Sequence, residues 1–106
     1  MRLAVALMLL PVVPIAANAP AFAQTASQTR AQDAALLQFL DQAFDARLAL
    51  SPESQTQLGL KTNYDRLDDY SDAAALREQA LAETQLQAMH ARFKPDQFGE
   101  SARVSY

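Results

Sequence analysis

The chain has 106 residues, no cysteine, one histidine and a formal net charge of −3. This acidic balance argues against a nucleic-acid or anionic-membrane surface as the main role, because neither polyanion attracts it. Without cysteine the chain forms no disulfide, and a single histidine excludes zinc sites built from several His or Cys ligands of one molecule.

Residues 1–23 have the pattern of a secretory signal peptide. The basic Arg2 is followed by an apolar run to Ala17, and small residues flank Phe22 in the motif that signal peptidase reads. A retained membrane anchor is the alternative, but two prolines interrupt the run and a span needs about 20 apolar residues. We expect a signal helix cleaved after Ala23, 83 mature residues in the periplasm or the medium, and no stable membrane insertion afterwards.

The mature chain is predicted to begin with a tether and a helix. Residues 24–32 are polar and small and lack periodicity, which indicates a flexible tether. Apolar residues then recur on one helical face and predict a helix over residues 33–50. They are Leu36, Leu37, Leu40, Phe44 and Leu48.

A short helix and a loop are predicted next. Ser51 is suited to cap a helix over residues 52–58, with Pro52 in its first turn and Gly59 available for a left-handed end. Residues 61–70 lack a helical period and combine aspartates with aromatic residues. We expect an ordered loop anchored by Tyr64, Leu67 and Tyr70.

Ser71 is predicted to cap a long helix over residues 72–93, which Pro95 ends. Another helix is expected from Glu100 onward, with Val104 and Tyr106 as its first apolar residues. The apolar stripe of the long helix comprises Ala75, Ala82, Leu86, Met89 and Phe93. The predicted fold is all-α: a signal helix followed by about three helices, as the N-terminal part of a larger helical domain.

No residue is predicted to be catalytic, to bind a cofactor or to hold a metal. His90 lies at the edge of an apolar stripe without a companion ligand, and Ser51 has no neighbouring base and a role as a cap. Four aspartates raise the possibility of calcium, but their spacing does not match a calcium loop, so capping and loop hydrogen bonds are expected instead. They are Asp65, Asp68, Asp69 and Asp72.

From about Asp33 onward the chain resembles the N-terminal region of the bacterial domain-of-unknown-function 885 family. The step from Ser-Pro-Glu to Leu-Gly, followed by the tyrosine-aspartate loop, carries most of the similarity. The matching runs are Phe39-Leu40-Asp41, Leu50-Ser51-Pro52-Glu53, Leu58-Gly59, Tyr64-Asp65-Arg66-Leu67-Asp68-Asp69-Tyr70-Ser71, Leu76-Arg77-Glu78 and Arg103-Val104-Ser105-Tyr106.

The resemblance implies an exported, largely helical protein similar to zinc-dependent peptidases. The His-Glu-x-x-Pro-Gly-His type motif of that family lies far downstream of this region and is absent from the sequence. The chain is therefore expected to be an inactive N-terminal fragment whose partner is the C-terminal catalytic region, with zinc implied only for full-length relatives. The alternative is an autonomous small helical periplasmic adaptor or binding protein. In either case we expect apolar faces that need a partner.

Overall fold

The computed structural model describes residues 21–106, and this part of the chain is all-α, as predicted. Four α-helices follow in order: α1 (Ala21–Leu48), α2 (Pro52–Gln57), α3 (Asp72–Arg92) and α4 (Glu100–Ser105), with a 3-10 turn at Pro95–Gln97. The predicted signal helix falls largely on residues 1–20, outside the described part. Within residues 21–106, no helix combines the length and apolarity needed to cross a membrane.

The segment predicted as a flexible tether is helical, so that prediction is wrong. Residues 24–32 belong to α1, which begins at Ala21 rather than near Asp33. They are mostly exposed, which explains why they show no apolar period. The segment contains alanine, glutamine and arginine but neither glycine nor proline, so an established helix extends through it at one hydrogen bond per residue.

Both ends of α2 have the predicted caps. The hydroxyl of Ser51 accepts a hydrogen bond from the backbone N–H of Ser54 at 3.1 Å. At the other end Gly59 has φ +80°, in the left-handed region. The N–H groups of Gly59 and Leu60 donate to the carbonyls of Thr56 and Gln55, each at 2.9 Å. This Schellman arrangement satisfies carbonyls that the end of the helix would otherwise leave unpaired.

The cap of α3 is also the predicted one, because the Ser71 hydroxyl accepts from the Ala74 N–H at 3.2 Å. The inward face of its first turn differs from the prediction: Ala74 is buried, whereas Ala75 is exposed. The chain then leaves the helix in an extended conformation at Phe93, two residues before Pro95. This turn directs the following segment back across α1.

The core lies where α1 meets the C-terminal segment. Its buried members are Leu36, Phe93, Phe98 and Ala102, and the half-buried Phe39, Leu40, Met89 and Tyr106 surround them. The expectation for α4 is only partly right. Tyr106 does pack on this core, but Val104 is exposed and Ala102 takes the inward position.

A tight contact joins α4 to the first half of α1. The backbone N–H of Gly99 donates to the carboxylate of Asp33 at 3.0 Å, across 66 residues of sequence. A Cβ atom at position 99 would lie 2.9 Å from Asp33 Oδ2, closer than side-chain atoms normally approach. A side chain at position 99 would therefore have to displace the Asp33 carboxylate from this hydrogen bond, which holds the C-terminal segment over the core.

Candidate binding groove between helices α1 and α3

An open groove of about 690 Å³ runs between α1 and α3. One wall comes from the second half of α1 and the other from the middle of α3, and the end of the groove is formed by the start of α2 and by the loop before α3. Its apolar lining comprises Phe39, Leu40, Ala43, Phe44, Leu48, Leu50, Leu81, Ala82, Leu86 and Met89. The two predicted apolar stripes therefore meet here, as well as in the core.

Large apolar side chains in the groove remain in contact with solvent. Phe44 on α1 is 56% exposed and Leu86 on α3 is 51% exposed, although both belong to the predicted inward stripes. Leu50 at the end of the groove is also exposed. An isolated exposed leucine is ordinary, but a contiguous apolar groove is typical of a surface that packs against another molecule or segment.

Charged and polar groups lie along the edges of the groove. Arg47 comes from α1, Glu78 from α3 and Asp68 from the loop before α3. The ion pair found among residues 21–106 joins Arg77 to Asp69. Arg47 and Glu78 therefore place opposite charges on the two edges of the groove without pairing with each other. In the middle, the Gln85 side-chain amide donates to the carbonyl of Ala43 at 3.1 Å and ties the two walls together.

Asp68 holds the end of the groove through two hydrogen bonds to α2. It accepts from the Ser51 hydroxyl at 2.7 Å and from the Glu53 backbone N–H at 2.9 Å. The phenol of Tyr70 donates to the Glu53 carboxylate. Ser51 and Asp68 together satisfy amides of the first turn of α2 that have no partner within the helix.

The prediction that Tyr64 and Leu67 anchor this loop is wrong, whereas Tyr70 does hold it, through the hydrogen bond of its phenol to Glu53. Tyr64, Leu67 and Tyr70 are 70%, 77% and 80% exposed, and none belongs to the core. Polar contacts hold the loop instead: besides Asp68, the side-chain amide of Asn63 donates to that of Gln55 at 3.0 Å. Gln55 is buried and itself donates to the carbonyl of Leu48.

Two ionisable side chains of the loop have altered affinities for protons. Hydrogen bonds from Ser71, and then the Arg77 guanidinium at 2.9 Å, lower the pKa of Asp69 below its ordinary value. The hydrogen bond of Tyr70 to the Glu53 carboxylate raises the pKa of that phenol. Both groups are solvent-exposed, so these shifts describe local contacts rather than a buried reactive centre.

The other residues considered from the sequence do not assemble into a reactive site. His90 is exposed and lies beside Tyr106, with 6.0 Å between ring centroids. Asp65 is exposed, and Asp72 lies in the first turn of α3. Among residues 21–106, no three His, Cys, Asp or Glu side chains are grouped closely enough to hold a metal ion. Ser51 serves as the cap described above.

Comparisons with protein-family models, with curated proteins and with solved structures found no match. The groove is the feature of the described residues that suggests a function. Sequence reasoning identified most of its apolar residues but missed the bond from Gln85 and the place of Asp68 at its end. The signal available for Asp68 was its position after Leu67 in a loop rich in hydrogen-bonding side chains.

Proposed function

We propose that this chain is a non-catalytic helical module of an exported protein, and that its groove receives one amphipathic helix of further polypeptide. The observation that supports the proposal is the contiguous exposed apolar surface formed by Phe44, Leu50 and Leu86 between two helices. Covering it would remove the exposed half of these side chains from water, which contributes about 1 kcal/mol for each, roughly half the value for a side chain buried from full exposure.

The shape and charge of the groove favour a helix as its occupant. Its two walls are helices, whose backbone groups are paired internally, so no strand edge is offered for sheet addition. A third helix can place its side-chain ridges between those of α1 and α3. Arg47 on one edge and Glu78 on the other would pair with an acidic and a basic residue on opposite flanks of that helix.

The resemblance to the domain-of-unknown-function 885 family suggests the source of this helix. In such a protein it would come from the downstream catalytic region, which would also bring the zinc ligands. The module would then shape the surroundings of a peptidase cleft without contributing a catalytic group. Export to the periplasm, with cleavage after Ala23, is part of the same proposal and is supported by the signal-peptide pattern of residues 1–23.

A second candidate function is an autonomous periplasmic adaptor that binds a separate protein through the groove. The observation that favours it is the core formed by Leu36, Phe93, Phe98 and Ala102, which the chain builds from its own residues. The Asp33–Gly99 hydrogen bond joins α1 to the C-terminal segment beside that core. Both candidates use the groove, and they differ in whether the occupant belongs to the same protein.

The proposal is tested by sequencing the locus downstream and co-producing the chain with any following segment that encodes the family's metal motif. We expect the two to purify together as a stable complex. Phe44→Gln should weaken that complex by roughly tenfold or more, because a polar amide replaces a large side chain that the helix would cover.

Leu37→Gln is the matched control, since Leu37 lies on the same helix, is 52% exposed and does not line the groove. It should leave the complex unchanged. Equal weakening by both variants would contradict binding at the groove. A downstream segment that carries the motif but does not associate with the chain would favour the adaptor candidate over the catalytic-region partner.

A further inference from the structure

The two walls of the groove are antiparallel helices. The ring of Phe39 on α1 packs against that of Phe93 at the end of α3, with 5.6 Å between centroids. Further along α1, the carbonyl of Ala43 accepts from the side chain of Gln85, which lies earlier in α3. Two antiparallel helices side by side form half of a four-helix bundle, and the apolar side chains between them face the other half. The open groove has the form of such an unpaired half.

The charges on the two edges of the groove lie at nearly the same level. Counted from the bond between Ala43 and Gln85, Arg47 lies one turn further along α1 and Glu78 lies two turns earlier in α3. Because the helices are antiparallel, these steps run in the same direction and differ by about one turn, roughly 5 Å. Both side chains are exposed, and neither joins an ion pair among residues 21–106.

A second copy of the chain is complementary to this arrangement. Rotation by 180° about an axis along the groove places α1 of each copy over α3 of the other, so that Arg47 of each copy faces Glu78 of the other. The same rotation makes every pair of neighbouring helices antiparallel, as in an up-down bundle. An axis across the groove would instead stack α1 on α1, with the charged ends of the two copies at opposite ends of the interface and unpaired.

We propose that two copies of this chain associate groove to groove as a symmetric four-helix dimer. Phe44 and Leu86 of each copy, about half exposed in the single chain, would fill the interior. Two pairs of Arg47 with Glu78 would flank them. The inference goes beyond the proposed function, in which the groove receives one helix of further polypeptide. Since both occupants cover the same side chains, they exclude each other, and the groove is free for the helix in the monomer.

The test is sedimentation velocity of the purified chain over a series of concentrations, with charge reversal on each edge. We expect a monomer–dimer equilibrium. Arg47→Glu and Glu78→Arg should each weaken the dimer by roughly tenfold or more, because each variant places two pairs of like charges face to face. An equal mixture of the two variants should associate again, since every facing pair in the mixed dimer is opposite in charge. This recovery would also show that both variants are folded.

Two substitutions on α1 test the interior of the dimer. Phe44→Gln should weaken association, because it places an amide in the interior twice per dimer. Leu37→Gln, at an equally exposed position outside the groove, should leave it unchanged. A chain that stays monomeric at every concentration would overturn the proposal. It would also be overturned by association that neither charge reversal weakens, or by a mixture that associates no better than its two components.

Failure of the dimer and failure of the proposed function give different results. If the dimer forms with this charge pattern but the downstream segment does not bind, the proposed function fails and the dimer stands. If the chain is monomeric and binds the segment through Phe44, the dimer fails and the proposed function stands. If both hold, adding the segment should dissociate the dimer into complexes that contain one copy of each chain.

Discussion

Replacing Leu36 by alanine should lower the free energy of unfolding by about 3–5 kcal/mol, the upper part of the range for buried leucines. Leu36 is fully buried and is surrounded by Phe93, Phe98 and Ala102 from the C-terminal segment. The rings beside it are held by several elements at once and cannot all move to fill the space. In a domain of this size, a loss of about 3 kcal/mol lowers the melting temperature by roughly 12–24 °C.

The neighbouring Leu37 provides a matched control for the same chemical change. It lies on α1, but its side chain is 52% exposed. Leu37→Ala should cost at most about 1 kcal/mol, because about half of the side chain is already in water and alanine is the better helix former. Urea unfolding followed by circular dichroism at 222 nm, a far-ultraviolet wavelength that reports helix, measures both values. Equal losses for the two variants would refute the assignment of the core to Leu36.

Three further predictions concern two other contacts and the processing of the N-terminus. Gly99→Ala should destabilise the chain by about 1 kcal/mol in urea unfolding, because the Asp33 carboxylate must move away from the new Cβ and lose its hydrogen bond from the backbone N–H of residue 99; a neutral effect would contradict a stabilising role of that bond. Glu53→Gln should lower the pKa of Tyr70 toward its ordinary value, measured by tyrosinate absorbance, and an unchanged titration would contradict the hydrogen bond. N-terminal sequencing of periplasmic protein should show processing after Ala23, whereas full-length protein in the membrane fraction would support the anchor alternative.

The caps and helix ends were predictable because they depend on a few residues adjacent in sequence. Ser51, Gly59 and Ser71 each perform the local role that their side chain or backbone freedom favours. The start of α1 was not predictable from periodicity. An apolar period reports burial, and residues 24–32 are helical but exposed.

Long-range packing limited the prediction of the loop and the core. Tyr64 and Leu67 were expected to be anchors because aromatic and apolar side chains are usually buried, but here polar bonds to α2 hold the loop. Phe98 enters the core through a turn that depends on the contact of Gly99 with Asp33. That contact spans 66 residues, and no local pattern indicates it.

Amide hydrogen exchange on the chain, alone as a monomer and bound to the downstream segment, shows whether the groove is the binding surface. We expect protection to rise in residues 39–50 and 78–89, which form the two walls of the groove. Exposed residues 24–32, at the start of α1, should exchange equally fast in both samples. A stable complex in which the walls of the groove gain no protection would contradict the claim that this groove is the binding surface.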